Sequence, residues 1–273
     1  MNVGERIERR DVEGLRVGRF GHRVNTTCIV WRLGTTLIDT GPPNQWKAVR
    51  DFALERPVDQ VVVTHHHEDH AGNLSRFPRL GISRLLAPAE SLAPLADGFP
   101  LQMYRRVFWG RPGRVAAEAL PKTLELADGT ALEPILLTGH SPDMTCLLDA
   151  GRGLLFGADL YVATRLRYLR RDEDLPALMA SLRRILDYEF DTLLCSHRGI
   201  VEPAKEKLEN KLAHLVELRE RAHALRAEGC SVDRIVRRLL GPEDMVSRAS
   251  LGHFSKRNLI LGCLTTADNT TAS

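Results

Sequence analysis

Four of the chain's ten histidines fall within the six-residue run His65-His66-His67-Glu68-Asp69-His70. His65 and His67 are two apart, so in extended backbone their rings project to the same side. Two neutral imidazoles on one face can hold a single divalent ion. Asp69 and His70 follow where the chain should turn into a helix, and a second ion can be bound there. His66 then points away, and Glu68 is a favourable charge at a helix start. Three more candidate ligands lie downstream: His140 in Thr138-Gly139-His140-Ser141-Pro142-Asp143, Asp159 closing Leu154-Leu155-Phe156-Gly157-Ala158, and His197 closing Leu193-Leu194-Cys195-Ser196. Each ends a short apolar run beside Gly, Ser or Pro, where ligands can converge on one edge of a sandwich.

Such convergence needs strands that stop together, and the sequence offers them. Thr26–Trp31 and Thr35–Asp39 read as strands around the turn Leu33-Gly34, the second ending in Thr40-Gly41-Pro42-Pro43. Residues 44–55 carry helical periodicity through Trp46, Val49, Phe52 and Ala53. Val61–Thr64 is a buried strand leading into the histidine cluster. From about 75 to 120 the pattern is broken by Pro78, Pro88, Pro94, Pro100 and Pro112, and the stretch reads as an insertion able to cover the site. Periodicity returns in Lys122–Leu126 and Leu132–Thr138, then in a hairpin of 147–149 and 154–156, a helix over 174–188 and a strand over 192–195. Strands alternating with helices, with chemistry at strand ends, indicate a layered α/β architecture. After Pro203 the composition changes to a charged amphipathic helix over 204–228, a second capped by Ser231, and a third over 255–263. Residues 1–202 thus read as a catalytic domain, 203–264 as an all-α subdomain and 265–273 as a disordered tail.

Bulk properties leave the partner open. A chain of 273 residues with 43% hydrophobic and 27% charged residues can bury a substantial core. A net charge of +3 permits an anionic substrate without demanding one. The five cysteines are scattered with no C-x-x-C pair, which excludes a zinc ribbon and argues against a disulfide framework. A reducing compartment fits them, and with neither an apolar leader nor an 18-residue apolar run in view the expected address is the cytoplasm, away from membranes.

The ligand set resembles that of the metallo-β-lactamase superfamily over about residues 20–200. The H-x-H-x-D-H motif matches His65, His67, Asp69 and His70. The later histidine of a Gly-His-[Ser/Thr]-Pro context matches His140, the bridging aspartate Asp159, and the last histidine His197. The early Asp-Thr-Gly matches Asp39-Thr40-Gly41, where Asp39 resembles a residue orienting a ligand. The resemblance implies a four-layer αββα sandwich with His65, His67 and His140 on one ion, Asp69, His70 and His197 on the other, and Asp159 between them. Zinc suits these ligands, and iron or manganese accept the same mixture.

Two ions about 3.5–4 Å apart can share a hydroxide that stays ionised at neutral pH and attacks a carbonyl or phosphoryl centre, with Asp69 orienting it. Glyoxalase II-like thioesterases share the ligand set, although Gly72-Asn73 stands here where they typically have Gly-Gly. Arg105, Arg106 and Arg111 in the insertion, and Arg165, Arg167, Arg170 and Arg171 after the bridging aspartate, interleave with Tyr104, Trp109, Tyr161 and Tyr168. Lining the mouth, Tyr104, Arg105, Arg106, Trp109, Tyr161 and Arg165 would favour a small substrate bearing phosphate or carboxylate. The expectation is a hydrolase of thioesters or related carboxylic esters, of acyl-coenzyme A or glutathione type. The alternatives are a phosphodiesterase or ribonuclease with the same metal centre, or a ligand-sensing regulator that keeps the metals. The helical C-terminus, through His253-Phe254-Ser255-Lys256-Arg257-Asn258, loosely resembles the appendage of lactamase-like hydrolases; His253 reads as a surface or packing residue, and the helices could support a homodimer.

Overall fold

The computed structural model describes residues 4–19 and 26–265. These fall into two units, one made of residues up to Leu136 with Asp143–Val162 and Glu189–Glu202, the other of Leu137–Pro142, Ala163–Tyr188 and the chain from Pro203 on.

In the first unit seven strands form one sheet in sequential order: β1 (Arg6–Arg9), β2 (Val12–Gly18), β3 (Thr27–Leu33), β4 (Thr36–Ile38), β5 (Gln60–Val62), β6 (Arg84–Ala87) and β7 (Glu118–Ala119). Neighbours from β1 to β4 are antiparallel, and those from β4 to β7 are parallel. The second sheet contains β8 (Leu124–Glu125), β9 (Ala131–Leu136), β10 (Thr145–Asp149), β11 (Leu154–Ala158), β13 (Thr192–Cys195) and β14 (Gly199–Val201); β12 (Leu169–Arg170) belongs to the other unit. Its order is β14-β13-β11-β10-β9-β8, with β11 and β13 parallel.

Strand β3 shows why two faces are covered. All seven of its residues are buried, as expected of a strand packed on both sides. Cys28 and Val30 join one core with Val49, Phe52 and Ala53 of helix α1 (Trp46–Leu54). Ile29, Trp31 and Leu33 turn into the other, between the sheets, against Leu132, Leu147, Leu154, Phe156 and Leu194. The period of two therefore separates a helix-facing core from an inter-sheet core. Gly14 is dictated by the second: a Cβ there would stand 2.7 Å from the Trp31 ring.

The stretch from 75 to 120 is only partly an insertion. Arg84–Ala87 pairs with β5 as a sheet strand, and its Leu85 and Leu86 enter opposite cores. Flanking Pro78 and Pro88 hide that short strand from a periodicity reading. What remains between sheet strands is α2 (Leu92–Asp97), α3 (Met103–Trp109) and their loops.

The second unit holds α4 (Leu175–Leu186), α5 (Ala204–Ala227), α6 (Val232–Leu239), α7 (Met245–Ala249), α8 (Lys256–Leu264) and a ribbon of β12 with β15 (Phe254–Ser255). Asp174, Ser231 and Ser255 cap α4, α6 and α8 by accepting main-chain N–H bonds. Helix α4 buries Leu178, Leu182 and Ile185 and packs on α5 and α8. The helices from Pro203 on share the second unit with α4 and with the 137–142 segment. The tail beyond Thr265 lies outside the described residues. All five cysteines are buried free thiols. Among the described residues, no helix is long and apolar enough to cross a membrane.

Phe156, 1% exposed in the inter-sheet core, provides a test of this packing. Phe156→Ala should cost roughly 3–5 kcal/mol in chemical denaturation, by loss of burial and the cavity left behind. A cost under about 1 kcal/mol would contradict a close-packed interface between the sheets.

Candidate metal centre

Parallel pairing places the candidate ligands. Strands β4 and β5 run side by side, so Asp39 and His65 both follow the same end of the first sheet. Strands β11 and β13 do the same for Asp159 and His197 in the second. At this edge the sheets are joined by hydrogen bonds from Ile29 N to Ser196 O (2.7 Å) and from Thr145 N to Thr64 O (2.9 Å).

Asp39 organises the loop. Its φ of 63° lies in the left-handed region, uncommon outside glycine and tolerated best by Asp and Asn. From there its carboxylate accepts the Thr64 N–H at 2.8 Å, the Thr64 hydroxyl at 2.9 Å and His70 Nδ1 at 2.7 Å. Thr40 N and Oγ1 both donate to the His70 carbonyl, at 2.6 and 2.7 Å. Asn73, fully buried, places Nδ2 within 3.1 Å of the carbonyls of Thr40, Gly41 and Pro42. Its neighbour must be glycine: a Cβ on Gly72 would meet the Glu68 carbonyl at 2.1 Å.

These bonds decide which nitrogens are left to bind. His70 gives Nδ1 to Asp39, so its buried Nε2 presents a lone pair 3.3 Å from Asp159 Oδ1. His197 Nδ1 is 2.6 Å from the Thr27 carbonyl, which only accepts, so Nε2 again carries a lone pair, 3.0 Å from Asp159 Oδ1 and 3.7 Å from Asp69 Oδ2. Two nitrogen lone pairs thus face carboxylate oxygens in a buried space. A cation or added protons must sit there. Single donor atoms of His65, His70 and Asp159 lie within 4.8 Å of one another, as do those of Asp69, His70 and His197. His65 Nε2 is also 2.8 Å from His67 Nδ1. Burial opposes a charge on His70 and His197, but Asp159 and the other nearby carboxylates outweigh it and raise both above the ordinary imidazole value. The donor set fits divalent ions by geometry and by chemistry.

His140 lies in the second unit, where its Nδ1 is 2.8 Å from Glu173 Oε1 and its carbonyl accepts from Arg170 Nη2 at 3.0 Å. Burial pushes the Glu173 carboxyl up, yet Arg170 and His140 hold it below the usual range. His253 packs in the same unit, its Nε2 3.5 Å from Asp172 Oδ1.

Of the two remaining residues of the motif, Glu68 departs from expectation and His66 points away as expected. Glu68 begins no helix; it is fully buried and makes a two-pronged bond to Arg105 Nε and Nη2, both at 2.6 Å. His66 is tied through its main-chain N–H and Nδ1, each 2.7 Å from Asp143 Oδ2, which also accepts from Ser91 Oγ. Burial acts against the Asp143 anion, but the imidazoles of His66 and His65 hold its carboxyl well below the usual range. Sequence reasoning missed Asp143, Glu173 and Ser91, and the only local signal was an aspartate closing Gly-His-Ser-Pro-Asp. Of the expected mouth residues, Arg105 turns inward to Glu68 and Trp109 is buried. Arg106 and Arg165 are exposed, while Tyr104 and Tyr161 are half-buried.

The family model described as the metallo-β-lactamase superfamily matches residues 21–197. A hydroxyacylglutathione hydrolase from Pseudomonas paraeruginosa is 29% identical over 191 residues, 67% of this chain and 66% of that protein. An acyl-coenzyme A thioesterase from Bos taurus, MBLAC2, is 32% identical over 128 residues, 42% of this chain and 45% of the relative. The chain therefore spans under half of one relative and about two thirds of the other. A crystal structure of a β-lactamase domain protein from Burkholderia ambifaria superposes with a TM-score of 0.74 at 20% identity, over 96% of this chain and 88% of that one, a likeness of fold.

Arg105→Ala would strand a buried carboxylate, and denaturation should show a loss of about 3–5 kcal/mol. Replacing both partners, as Glu68→Gln with Arg105→Met, should recover part of it; equal losses would mean the pair is not coupled. A second test concerns pH. His70 and His197 have raised folded values, so in metal-stripped protein their contribution is complete below the ordinary 6.5 and is lost as pH rises through those values. The thermal midpoint of stripped protein should fall as pH rises above 6.5 relative to a His70→Gln, His197→Gln variant, and zinc should abolish that slope.

Proposed function

The chain belongs to the metallo-β-lactamase superfamily, and on that premise we propose that it is a metal-dependent hydrolase of thioesters or related carboxylic esters that carry an anionic group. One observation carries the reading: His70 Nε2 and His197 Nε2 face Asp159 with their outer nitrogens already committed to Asp39 and Thr27. Following the superfamily pattern, Asp69, His70 and His197 would hold one ion, His65, His67 and His140 a second, and Asp159 both. Zinc is the first assignment, with iron or manganese compatible with the same ligands. Bound there, divalent ions would supply Lewis acidity and a water acidified to near neutrality.

The chain's own residues then divide the work. Asp69 and Asp159, 8% and 7% exposed, are the site's carboxylates that keep some contact with solvent, and Asp69 would accept a hydrogen bond from the attacking water. Asp39 and the Thr27 carbonyl hold the tautomers that aim His70 and His197 inward. Within the second unit, Glu173 Oε1 holds His140 Nδ1 at 2.8 Å. The names of two relatives, an acyl-coenzyme A thioesterase and a hydroxyacylglutathione hydrolase, support thioesters as the first substrate class to try.

Zinc-loaded protein should be assayed against acyl thioesters, lactones, phosphodiesters and RNA. The expected result is turnover of thioesters above the others, abolished by chelation, with kcat lowered on the order of 10²-fold or more in Asp69→Ala. Cleavage of RNA or phosphodiesters with thioesters untouched would replace this reading by a nuclease, and full activity in Asp69→Ala would remove the role given to that carboxylate.

A further inference from the structure

Between α2 and α3 and the loop that follows lies a cavity of about 440 Å³ in the first unit, within the size range of small-molecule sites. Leu95 and Phe99 supply apolar wall, and Arg106, Arg111 and Arg114 supply three guanidinium groups against the single carboxylate of Asp97. The loops around it have defined form. Gly98 and Gly110 take φ of 83° and 94°, and Val115 N bonds to Leu95 O at 2.9 Å. A Cβ on Gly113 would stand 2.3 Å from Ser75 Oγ. Helix α3 is fastened from beneath, by Arg105 to Glu68 and by Asn44 Nδ2 to the Phe108 carbonyl at 2.6 Å.

Two features give this cavity a direction. Its wall is shared with the metal-binding loop, because the Phe99 ring meets the His66 ring edge-on with centroids 4.7 Å apart. Its charge is also uncompensated: among the described residues Arg106, Arg111 and Arg114 form no ion pair or side-chain hydrogen bond, whereas Arg16, Arg105, Arg152 and Arg170 each bind a carboxylate. Several guanidiniums around one concavity focus a positive potential and suit a multiply charged oxyanion. The apolar wall suits a flat or aliphatic body attached to it.

We propose that this cavity is a binding site for a phosphate group borne on an apolar or aromatic body, and that it holds the non-reacting end of the substrate. The second part rests on the hydrolase reading above, and the first does not. Phosphate is chosen over carboxylate because three cations around one cavity match a dianion.

Titration calorimetry with zinc-loaded full chain tests it, using phenylphosphonate, benzoate and benzyl alcohol as dianionic, monoanionic and uncharged probes. Phenylphosphonate should bind several-fold more tightly than benzoate, with benzyl alcohol weakest, and added salt should weaken it. The Arg111→Ala, Arg114→Ala double variant should lose tenfold or more of the phenylphosphonate affinity while keeping its metal content and thermal midpoint. Affinity unchanged in that variant, or absent in the unaltered protein, overturns the site; benzoate binding as tightly as phenylphosphonate overturns the choice of phosphate. Because the readout is binding, an arginine-dependent site together with no ester hydrolysis would leave the cavity standing and sink the hydrolase reading alone.

Discussion

Asp39 leaves the end of β4 in a backbone conformation that costs an ordinary residue about 1–3 kcal/mol, and its carboxylate becomes the meeting point of Thr64 and His70. The strained φ lets one side chain reach across to the next strand's loop while its main chain continues into Thr40-Gly41-Pro42. With that carboxylate in place, His70 has one tautomer and one ring orientation, and the start of the histidine loop is pinned at Thr64. Thr40 and Asn73 then close the loop's far end onto the same turn. The candidate metal donors are therefore aimed by bonds that do not themselves involve an ion, which would limit the ordering entropy of binding.

Charge balance makes the same region costly as a fold. Asp39, Asp69, Asp143 and Asp159 are all buried at one end of the sandwich, and the nearby counter-charge comes from imidazoles. Buried anions need partners, so His70 and His197 are driven toward the protonated state when no metal compensates them. Protons and divalent ions would compete for the same lone pairs. Arg105 and Glu68 neutralise each other next door, which keeps a further carboxylate of the motif from adding to the excess.

How much of this could be read beforehand depended on distance along the chain. The candidate ligand histidines and aspartates announce themselves because metal binding would restrict residue type and because strand ends are marked by apolar runs. Asp39 is legible only through the resemblance of Asp39-Thr40-Gly41 to the family's Asp-Thr-Gly. Glu68, His66 and His140 are visible, but their roles are not: their partners Arg105, Asp143 and Glu173 lie 37, 77 and 33 positions away, joined by bonds no local spacing records. The helices over 46–54 and 204–227 follow their periodicity. The strand over 84–87 does not, being four residues long between prolines, and α4 joins the C-terminal helices through tertiary packing that composition cannot foresee.

Helix α3 exposes a finer limit and a consequence. Arg105 and Arg106 are adjacent, and about 100° of helical rotation sends one into the protein and the other to its surface. A sequence alone treats them as one basic pair. In the structure one anchors the helix to the metal-binding motif and the other lines the neighbouring cavity. Ligands on strand ends are held by two sheets, while the cavity is built from two short helices and proline-bounded loops that touch the motif through Glu68–Arg105 and His66–Phe99. Residues facing the cavity can therefore change without moving a metal donor, whereas a change at Arg105 reaches the motif directly. Specificity and chemistry are separable along this helix at a resolution of one residue.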